Sequence, residues 1–276
     1  MNKKMIGLTA SLALFLAACG SEGTSEESTT GSESVSVGVV SEVEVEVWEN
    51  VKERLADDGV DLTIEQFGDY VQPNLAVQSG DIDLNAFQHV AYLESFNEDN
   101  DGDLTPIGFT YVSPLGLYSD RVTDYKDLAD GAEIAIPNDV TNGGRALLLL
   151  QSLGLITLDE AAGTEATLSD ISENPKNLVI TEIDAAQTAR TLPDVDAAVI
   201  NTNFATDSGL NPSQDALFLD TDNISEVNEI YKNVIATRSE DAENETYLKV
   251  VQAYQTEETA ALLEEATSGN DVPAWD

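Results

Sequence analysis

Short apolar runs alternate with longer amphipathic segments from about residue 35 to the end of the chain. The short runs are rich in β-branched residues and predict strands at 36–40, 61–67, 82–87, 133–137, 178–182, 195–200 and 231–238. The longer segments, several followed by glycine, predict helices at 47–58, 70–79, 90–98, 143–153, 184–191, 246–255 and 257–267. This alternation predicts an α/β protein with a largely parallel sheet.

Polar residues follow three of the predicted strands. They are Phe87-Gln88-His89, Pro137-Asn138-Asp139 and Asn201-Thr202-Asn203. Ligands of α/β proteins bind beyond the carboxyl ends of the strands. The sequence therefore predicts a cleft lined by the loops at these strand ends.

The first residues have the pattern of a bacterial lipoprotein signal. A basic start, Met1–Lys4, precedes an apolar run at 6–17 that is shorter than the ~20 residues of a membrane-spanning helix. The run closes on Leu16-Ala17-Ala18-Cys19. We expect a signal peptide at 1–18, lipid (palmitate among its acyl chains) on Cys19, and a disordered acidic tether at 19–34. An ordinary secretory signal with an incidental cysteine is the alternative.

The formal net charge is −40, from 52 acidic and 12 basic side chains. Such a surface repels phosphates, which argues against nucleic acid as a partner. We interpret the acidity as an adaptation for solubility at high salt or high pH. With one cysteine in the chain, no internal disulfide can form.

Few catalytic or metal-binding arrangements are compatible with the sequence. His89 is the only histidine, no G-x-S-x-G turn or phosphate-binding glycine loop occurs, and zinc ligands are lacking. Residues 97–102 resemble the start of a calcium loop, but Gly108 stands where the bidentate glutamate belongs. We therefore predict no metal, cofactor or catalytic residue, although a hydrolase using paired carboxylates stays open.

The best candidate for an anion-binding residue is Arg145, in PNDVTNGGRALLLLQSLGL at 137–155. Thr141 or Asn142 can cap the predicted helix, which places Arg145 in its first turn. A cation there opposes the helix dipole unless an anion binds at the same end. Pairing of Arg145 with a local acid such as Asp139 is the alternative.

Asparagines and aromatic residues are the other candidates. Asn142, Asn201 and Asn233 can each offer a donor and an acceptor, although each of them taken alone is better explained as a cap or turn residue. An aromatic group, Phe67, Tyr70, Phe87 and Tyr92, accompanies His89 near two strand ends. Core packing is the alternative for the phenylalanines, whereas His and Tyr at such junctions more often reach a cleft.

Several collinear stretches resemble the NlpA/MetQ family of methionine-binding lipoproteins, the substrate-binding components of bacterial ABC importers. They are FGDYVQPNLAVQSGDIDLNAFQH, PLGLYS, AIPNDVTNGGRALLLLQSLGLI, ENPKNL, DAAQTAR, DVDAAVINTNFA, YKNVI and VPAW. The resemblance implies a two-lobed periplasmic-binding-protein fold of type II-like topology, with the ligand cleft between the lobes. It implies lobe 1 at 35–115 plus 235–276 and lobe 2 at 116–234.

The resemblance also implies a role for each candidate residue. Arg145 would bind a carboxylate, and Asn142, Asn201 and Asn233 would bind the rest of an amino-acid head group. The thioether slot would be formed by Phe67, Tyr70, Phe87, His89 and Tyr92. The partners implied are methionine, an ABC permease with its cytoplasmic ATPase, and the membrane through the lipid anchor on its extracytoplasmic face.

Two positions depart from the family pattern. The segment SEVEVEVWENV at 41–51 replaces a G-P-H-type turn and alternates like a strand, yet the resemblance implies a helix start there. Ala91 stands where proline is frequent. Other ligands stay open, namely D-methionine, a methionine dipeptide or another small apolar amino acid. A cell-envelope hydrolase and a surface interaction protein without a small ligand also stay open.

Overall fold

The computed structural model describes residues 32–220 and 229–275. The predicted signal peptide, Cys19 and nearly all of the predicted tether lie outside these residues. In the described part of the chain, no helix is long and apolar enough to cross a membrane. The same residues contain no group of three or more His, Cys, Asp or Glu side chains placed to hold a metal ion.

The first half of the chain alternates strands and helices. Its elements are β1 (Glu33–Val39), α1 (Glu42–Asp57), β2 (Val60–Gln66), α2 (Gln72–Ser79), β3 (Leu84–His89), α3 (Val90–Asn100), β4 (Leu104–Phe109), β5 (Tyr111–Val112), β6 (Leu115–Tyr118) and β7 (Glu133–Pro137). The remaining elements are α4 (Val140–Ser152), β8 (Thr157–Leu158), β9 (Ile171–Glu173), β10 (Val179–Ile183), α5 (Ala185–Thr191), β11 (Ala197–Asn201), α6 (Thr202–Asp207), α7 (Pro212–Asp215), β12 (Phe218–Leu219), β13 (Asn233–Arg238), α8 (Glu245–Tyr254), α9 (Glu257–Ala266) and β14 (Val272–Pro273).

Two five-stranded sheets organise these elements. The first has the order β2-β1-β3-β13-β4, and the second has the order β10-β7-β11-β6-β12. We call the layers built on the first sheet lobe 1 and those built on the second lobe 2. The prediction of largely parallel pairing is wrong, because each sheet combines two parallel with two antiparallel ladders. The antiparallel ladders arise where β13 and β6 enter their sheets.

The chain passes between the sheets at two places. It leaves the first sheet after Phe109, forms β5, which pairs only with β14 among the described strands, and enters the second sheet at Leu115. It re-enters the first sheet at Asn233, which pairs with His89. Asn233 and Val234, predicted for lobe 2, therefore belong to a strand of lobe 1.

Helices cover both faces of the first sheet. On one face, α1 and α8 pack their aromatic side chains together, and the rings of Trp48 and Tyr254 lie 4.9 Å apart. Along β13, Ile235 faces this core, whereas Val234 and Ala236 face a second cluster with Val77 and Phe96. The alternation shows that α2 and α3 cover the opposite face.

The segment with alternating Val and Glu forms the helix α1. Its buried residues, Glu44, Val47, Trp48, Val51 and Leu55, recur at the helical spacing of three and four. A capping box begins the helix, since the Ser41 hydroxyl accepts from the Glu44 backbone N–H and the Glu44 carboxylate accepts from the Ser41 N–H. The family resemblance therefore gave the correct element where the local alternation did not.

Helix α4 begins earlier than predicted. Asp139, and neither Thr141 nor Asn142, is its N-cap, and the Asp139 carboxylate accepts from the Asn142 backbone N–H at 2.8 Å. Asp139 has extended backbone angles, which frees its side chain to turn back over the first turn. Thr141 and Asn142 consequently lie inside the helix. The Asn142 side chain points toward lobe 1, where its Oδ1 lies 3.4 Å from His89 Nε2.

We predict that Ser41→Ala lowers the free energy of unfolding by about 0.5–2 kcal/mol, because the substitution removes one half of the capping box. Urea unfolding followed by circular dichroism measures the change. Ser34→Ala, at an exposed strand position, is the matched control and should leave the midpoint unchanged. Equal midpoints for both variants would contradict a role of the box in stability.

Candidate functional site

A cavity with an empty volume of about 460 Å³ lies where the two lobes meet. Its walls are Tyr70, Phe87, Gln88, His89, Tyr92, Tyr111, Ser113, Pro114, Asn142, Arg145, Asn201, Thr202, Asn203 and Asn233. The strand-end residues of β3 and β11 line the cavity, as their pattern predicts. Residues 137–139, which were also predicted to line the cleft, are not among the lining residues. Asn142 and Arg145, in the helix α4 that follows them, line the cavity instead.

Arg145 supplies the positive charge of the cavity, and only 9% of the residue is exposed. Its Nε donates to Asp220 Oδ2 at 2.7 Å, and its Nη2 donates to the Ser113 carbonyl at 2.9 Å. The guanidinium lies 5.2 Å from the centroid of the Tyr231 ring. Asp220, distant in sequence, is thus the acid that pairs with Arg145, while Asp139 caps α4. Nη1 has no hydrogen-bond partner among the described residues.

Amide and imidazole groups from both lobes meet beside Arg145. Asn142 Oδ1 accepts from Asn201 Nδ2 at 2.9 Å and lies 3.4 Å from His89 Nε2. Because His89 Nδ1 accepts from the Tyr92 backbone N–H, the imidazole proton belongs on Nε2 and points at Asn142. Asn233 Nδ2 donates to the Tyr111 carbonyl at 3.1 Å.

One acceptor of this group has no donor. Asn201 Oδ1 is buried, and no described residue donates a hydrogen bond to it. A buried acceptor without a donor costs about 1–3 kcal/mol, which a ligand bearing a donor can recover. Arg145 and Asn201 together therefore favour a ligand with an anionic acceptor and a nearby donor.

Aromatic rings form the opposite wall. The Tyr70 ring stacks on Phe87 at 5.5 Å and lies edge-on to Tyr92 at 5.7 Å. It also contacts Phe204 of lobe 2 at 4.8 Å, and its hydroxyl donates to Asn203 Oδ1 at 2.6 Å. Tyr70 therefore joins the two lobes by ring packing and by a hydrogen bond.

Phe67 is placed differently from the sequence-based expectation. Its ring packs over Gly38 of β1 and joins the cluster around Val77 and Ile82. It borders a separate depression that also includes Phe204 and Arg190, and it is absent from the walls of the 460 Å³ cavity. The reason is that Phe67 directly follows β2, whose end lies beside β1 rather than beside β3.

Burial controls the protonation of the cavity residues. Burial, together with the nearby Arg145 cation, lowers the pKa of His89 to about 3. Burial also raises the pKa of Tyr70 and of Tyr92, so both phenols stay neutral. Among the described residues, the cavity thus presents one guanidinium and several neutral donors and acceptors at neutral pH, and none of these lining residues is Asp or Glu.

Sequence reasoning missed some of the residues that build the site. Tyr111, Ser113 and Pro114 lie in the passage between the sheets, where strand periodicity marks none of them. Pro114 opens the family-like stretch PLGLYS, but the resemblance gave it no role in the site. Asp220 carries no signal that distinguishes it from the other acids of the chain. Gln88, Thr202 and Asn203 were identified only as strand-end residues, and the structure places all three in the cavity wall.

We predict that the single histidine does not titrate between pH 5 and 8. Because its pKa is lowered to about 3, the folded protein takes up the proton only near that pH. In the unfolded chain the imidazole binds a proton near pH 6.5, so between these two pKa values protonation favours the unfolded state. The full stabilising contribution of the neutral histidine is therefore present above pH 6.5. That contribution is lost progressively as the pH falls from 6.5 toward 3.

NMR of the imidazole resonances tests this prediction in protein without a histidine tag, where no other histidine overlaps. The urea-unfolded protein is the control and should titrate near pH 6.5. A midpoint above pH 5 in the folded protein would contradict the buried, neutral imidazole.

Comparison with known proteins agrees with this fold and identifies the family. The family model of the NlpA lipoproteins matches residues 35–275. The D-methionine-binding lipoprotein MetQ of Escherichia coli (strain K12) is 41% identical over 245 residues, which are 87% of this chain and 88% of that protein.

Solved structures show the same fold. A nutrient-binding protein from Burkholderia cenocepacia bound to methionine has a TM-score of 0.82 and 42% identity, over 87% of this chain and 100% of that chain. The substrate-binding protein of a methionine transporter from Streptococcus pneumoniae has a TM-score of 0.81 and 40% identity, over 88% of this chain and 96% of that chain. With its two lobes and the cavity between them, the chain belongs to the NlpA lipoprotein family.

Proposed function

We propose that this protein captures methionine outside the cytoplasm and delivers it to an ABC importer. The observation that carries the proposal is the composition of the cavity between the lobes. The cavity combines one guanidinium, one buried acceptor without a donor, and a wall of aromatic rings. These three features correspond to the carboxylate, the ammonium and the apolar side chain of an amino acid.

The head group would bind on the side of lobe 2. The ligand carboxylate would receive hydrogen bonds from the Arg145 guanidinium, and the ammonium would donate to Asn201 Oδ1. Asn142 and Asn233, the other predicted head-group residues, line the same cavity. His89 would act as a neutral wall with one N–H donor, since its nitrogens contact Tyr92 and Asn142 rather than a serine and an acid.

The ligand side chain would lie against Tyr70, Phe87 and Tyr92. A thioether gains about 0.3–1.5 kcal/mol from each sulfur–aromatic contact and adapts well to an irregular slot. The absence of acids from the cavity wall, within the described residues, argues against a hydrolase that uses paired carboxylates. We therefore favour a carrier without catalytic residues.

Capture would proceed by closure of the lobes over the ligand. A ligand that contacts both lobes stabilises the closed state by the difference between its affinities for the two states. Head-group contacts come mainly from lobe 2, whereas the aromatic slot comes mainly from lobe 1. The predicted lobe limits, 35–115 plus 235–276 and 116–234, are part of this proposal, apart from three residues. Leu115 begins a strand of lobe 2, and Asn233 and Val234 belong to a strand of lobe 1.

The membrane location and the transporter partner are also proposals. The pattern ending at Cys19 and the lipoprotein names of the relatives support a lipid anchor on the extracytoplasmic face. The name of the Streptococcus pneumoniae protein, the substrate-binding protein of a methionine transporter, supports a transporter as the partner. An ABC permease with its ATPase is the partner that the family resemblance implies.

Thermal unfolding with added ligands tests the cargo. The protein is first partly unfolded and dialysed to remove bound ligand, then measured with L-methionine, D-methionine, methionine dipeptides and other apolar amino acids. A ligand present at 100 times its Kd adds ~2.7 kcal/mol of stability. A shift with D-methionine alone would match the name of the Escherichia coli relative. No shift with any compound would refute the proposed function.

We predict that Arg145→Lys weakens ligand binding by about 1.5–3 kcal/mol, because lysine cannot keep Asp220 and the Ser113 carbonyl while also binding a carboxylate. Calorimetric titration with the ligand found above measures the loss. Arg121→Lys is the matched control, since Arg121 forms an exposed ion pair with Asp196 in lobe 2. Equal affinities of the two variants would contradict the assignment of Arg145.

We predict that Tyr70→Phe weakens binding by about 0.5–1.5 kcal/mol through loss of the hydrogen bond to Asn203 between the lobes. The ring contacts with Phe87 and Phe204 remain, so the loss should appear mainly as faster ligand release in stopped-flow experiments. Tyr125→Phe in lobe 2, outside the cavity walls, serves as the control. An unchanged release rate would show that this bond does not hold the lobes together.

A further inference from the structure

Three buried side-chain amides pack together beside the aromatic wall. Asn74 lies on α2, and Asn85 and Gln88 lie on β3, with exposed fractions of 0%, 0% and 3%. Asn74 and Gln88 form a reciprocal pair, with Asn74 Nδ2 to Gln88 Oε1 at 2.7 Å and Gln88 Nε2 to Asn74 Oδ1 at 2.6 Å. Asn85 closes the group, because it donates to Asn74 Oδ1 and accepts from Gln88 Nε2, each at 2.8 Å. We call these three residues the amide triad.

A bulge in β3 makes this arrangement possible. Residues three apart on a regular strand point to opposite faces. Opposite β3, Val234 pairs with Gln88 and Ala236 pairs with Asn85, so β3 contains one residue more than β13 between these pairs. The extra residue turns Asn85 and Gln88 to the same face, where both reach Asn74. Bulges of this kind occur frequently next to binding sites, where they redirect side chains.

Each of the four hydrogen bonds within the triad joins a donor to an acceptor, and Asn85 Nδ2 also donates to the Pro73 carbonyl at 3.5 Å. Rotation of any one amide by 180° would place two donors or two acceptors against each other. Such a mismatch costs more free energy in the protein interior than in water, because no water can satisfy the unpaired groups there. The triad therefore fixes the position of α2 relative to the bulge of β3.

The aromatic wall depends on the same two elements. Tyr70 lies two residues before the start of α2, and Phe87 and His89 flank Gln88 on β3. Gln88 itself lines the cavity between these two neighbours. The 5.5 Å stacking distance between Tyr70 and Phe87 is consequently set by elements that the triad joins.

We propose that the amide triad is a positioning device that sets the width of the side-chain slot and so determines which side chain fits. Asn74 and Asn85 act through Tyr70 and Phe87, since neither of them lines the cavity. The inference rests on the proposed function and identifies residues that determine its specificity.

The test compares Asn74→Leu with Leu55→Ala by calorimetric titration. Asn74→Leu keeps the branching and the number of side-chain heavy atoms and removes three hydrogen bonds of the triad. We expect methionine to bind about tenfold more weakly, a loss equivalent to ~1.4 kcal/mol. Leu55→Ala removes a fully buried side chain of α1 on the opposite face of the same sheet. It should lower the unfolding temperature and leave the affinity within about twofold of wild type.

Ethionine, which is one methylene longer, tests the slot itself. A widened slot should reduce the preference for methionine over ethionine, whereas general destabilisation would weaken both ligands equally. If Asn74→Leu does not fold, Asn74→Ser, which keeps a donor and an acceptor, takes its place with the same criteria.

The outcomes separate this inference from the proposed function. Wild-type affinity in folded Asn74→Leu, an equal loss in Leu55→Ala, or an unchanged preference over ethionine would each overturn the positioning role. A wild-type protein that binds neither compound would refute the proposed function, and the inference would fall with it. A selective loss in the Asn74 variant would support both.

Discussion

Burial of the Arg145 guanidinium beside the passage between the two sheets is the interaction on which the site depends. Asp220 binds Arg145 through Oδ2 and accepts the Leu115 backbone N–H through Oδ1 at 2.7 Å. The Ser113 carbonyl accepts from the same guanidinium. Removal of one partner of a buried ion pair typically costs 3–5 kcal/mol. The cation, the start of β6 and the first turns of α4 are therefore fixed together.

The charge balance explains why such an enclosed cation matters in this chain. The full sequence carries a formal net charge of −40, so the protein repels anions at a distance. Within the cavity, Arg145 is already compensated by Asp220, and His89 is neutral. A ligand with a net negative charge would meet the repulsive surface with little net attraction inside. A zwitterion carries its own counter-charge, so this arrangement favours amino acids over simple carboxylates.

Periodicity was sufficient to locate most strands and helices, because each has a continuous apolar side that packs on one of the two sheets. It failed where the decisive contact lies far away in sequence. The strand β6 has only four residues, and its place beside β11 comes from pairing rather than from pattern. The resemblance gave the candidate residues their roles in one site. All of these residues except Phe67 line the cavity. Asp220 and the amide triad could not be predicted, since hydrogen bonds between polar side chains leave no periodic trace.

The two properties of the site have separate structural supports. The proposed head-group side is held by the capped helix α4 and by the ion pair of Arg145 with Asp220, both in lobe 2. The proposed side-chain slot is held by the bulge of β3 and the buried amides of lobe 1. Tyr70 lines this slot and also contacts Asn203 and Phe204 across the cleft. In the proposed function, recognition of the side chain would be coupled to closure, because a ligand that shifts the Tyr70 ring would also disturb the contact between the lobes. Preorganised supports of this kind let a carrier discriminate between ligands without loss of affinity for the correct one.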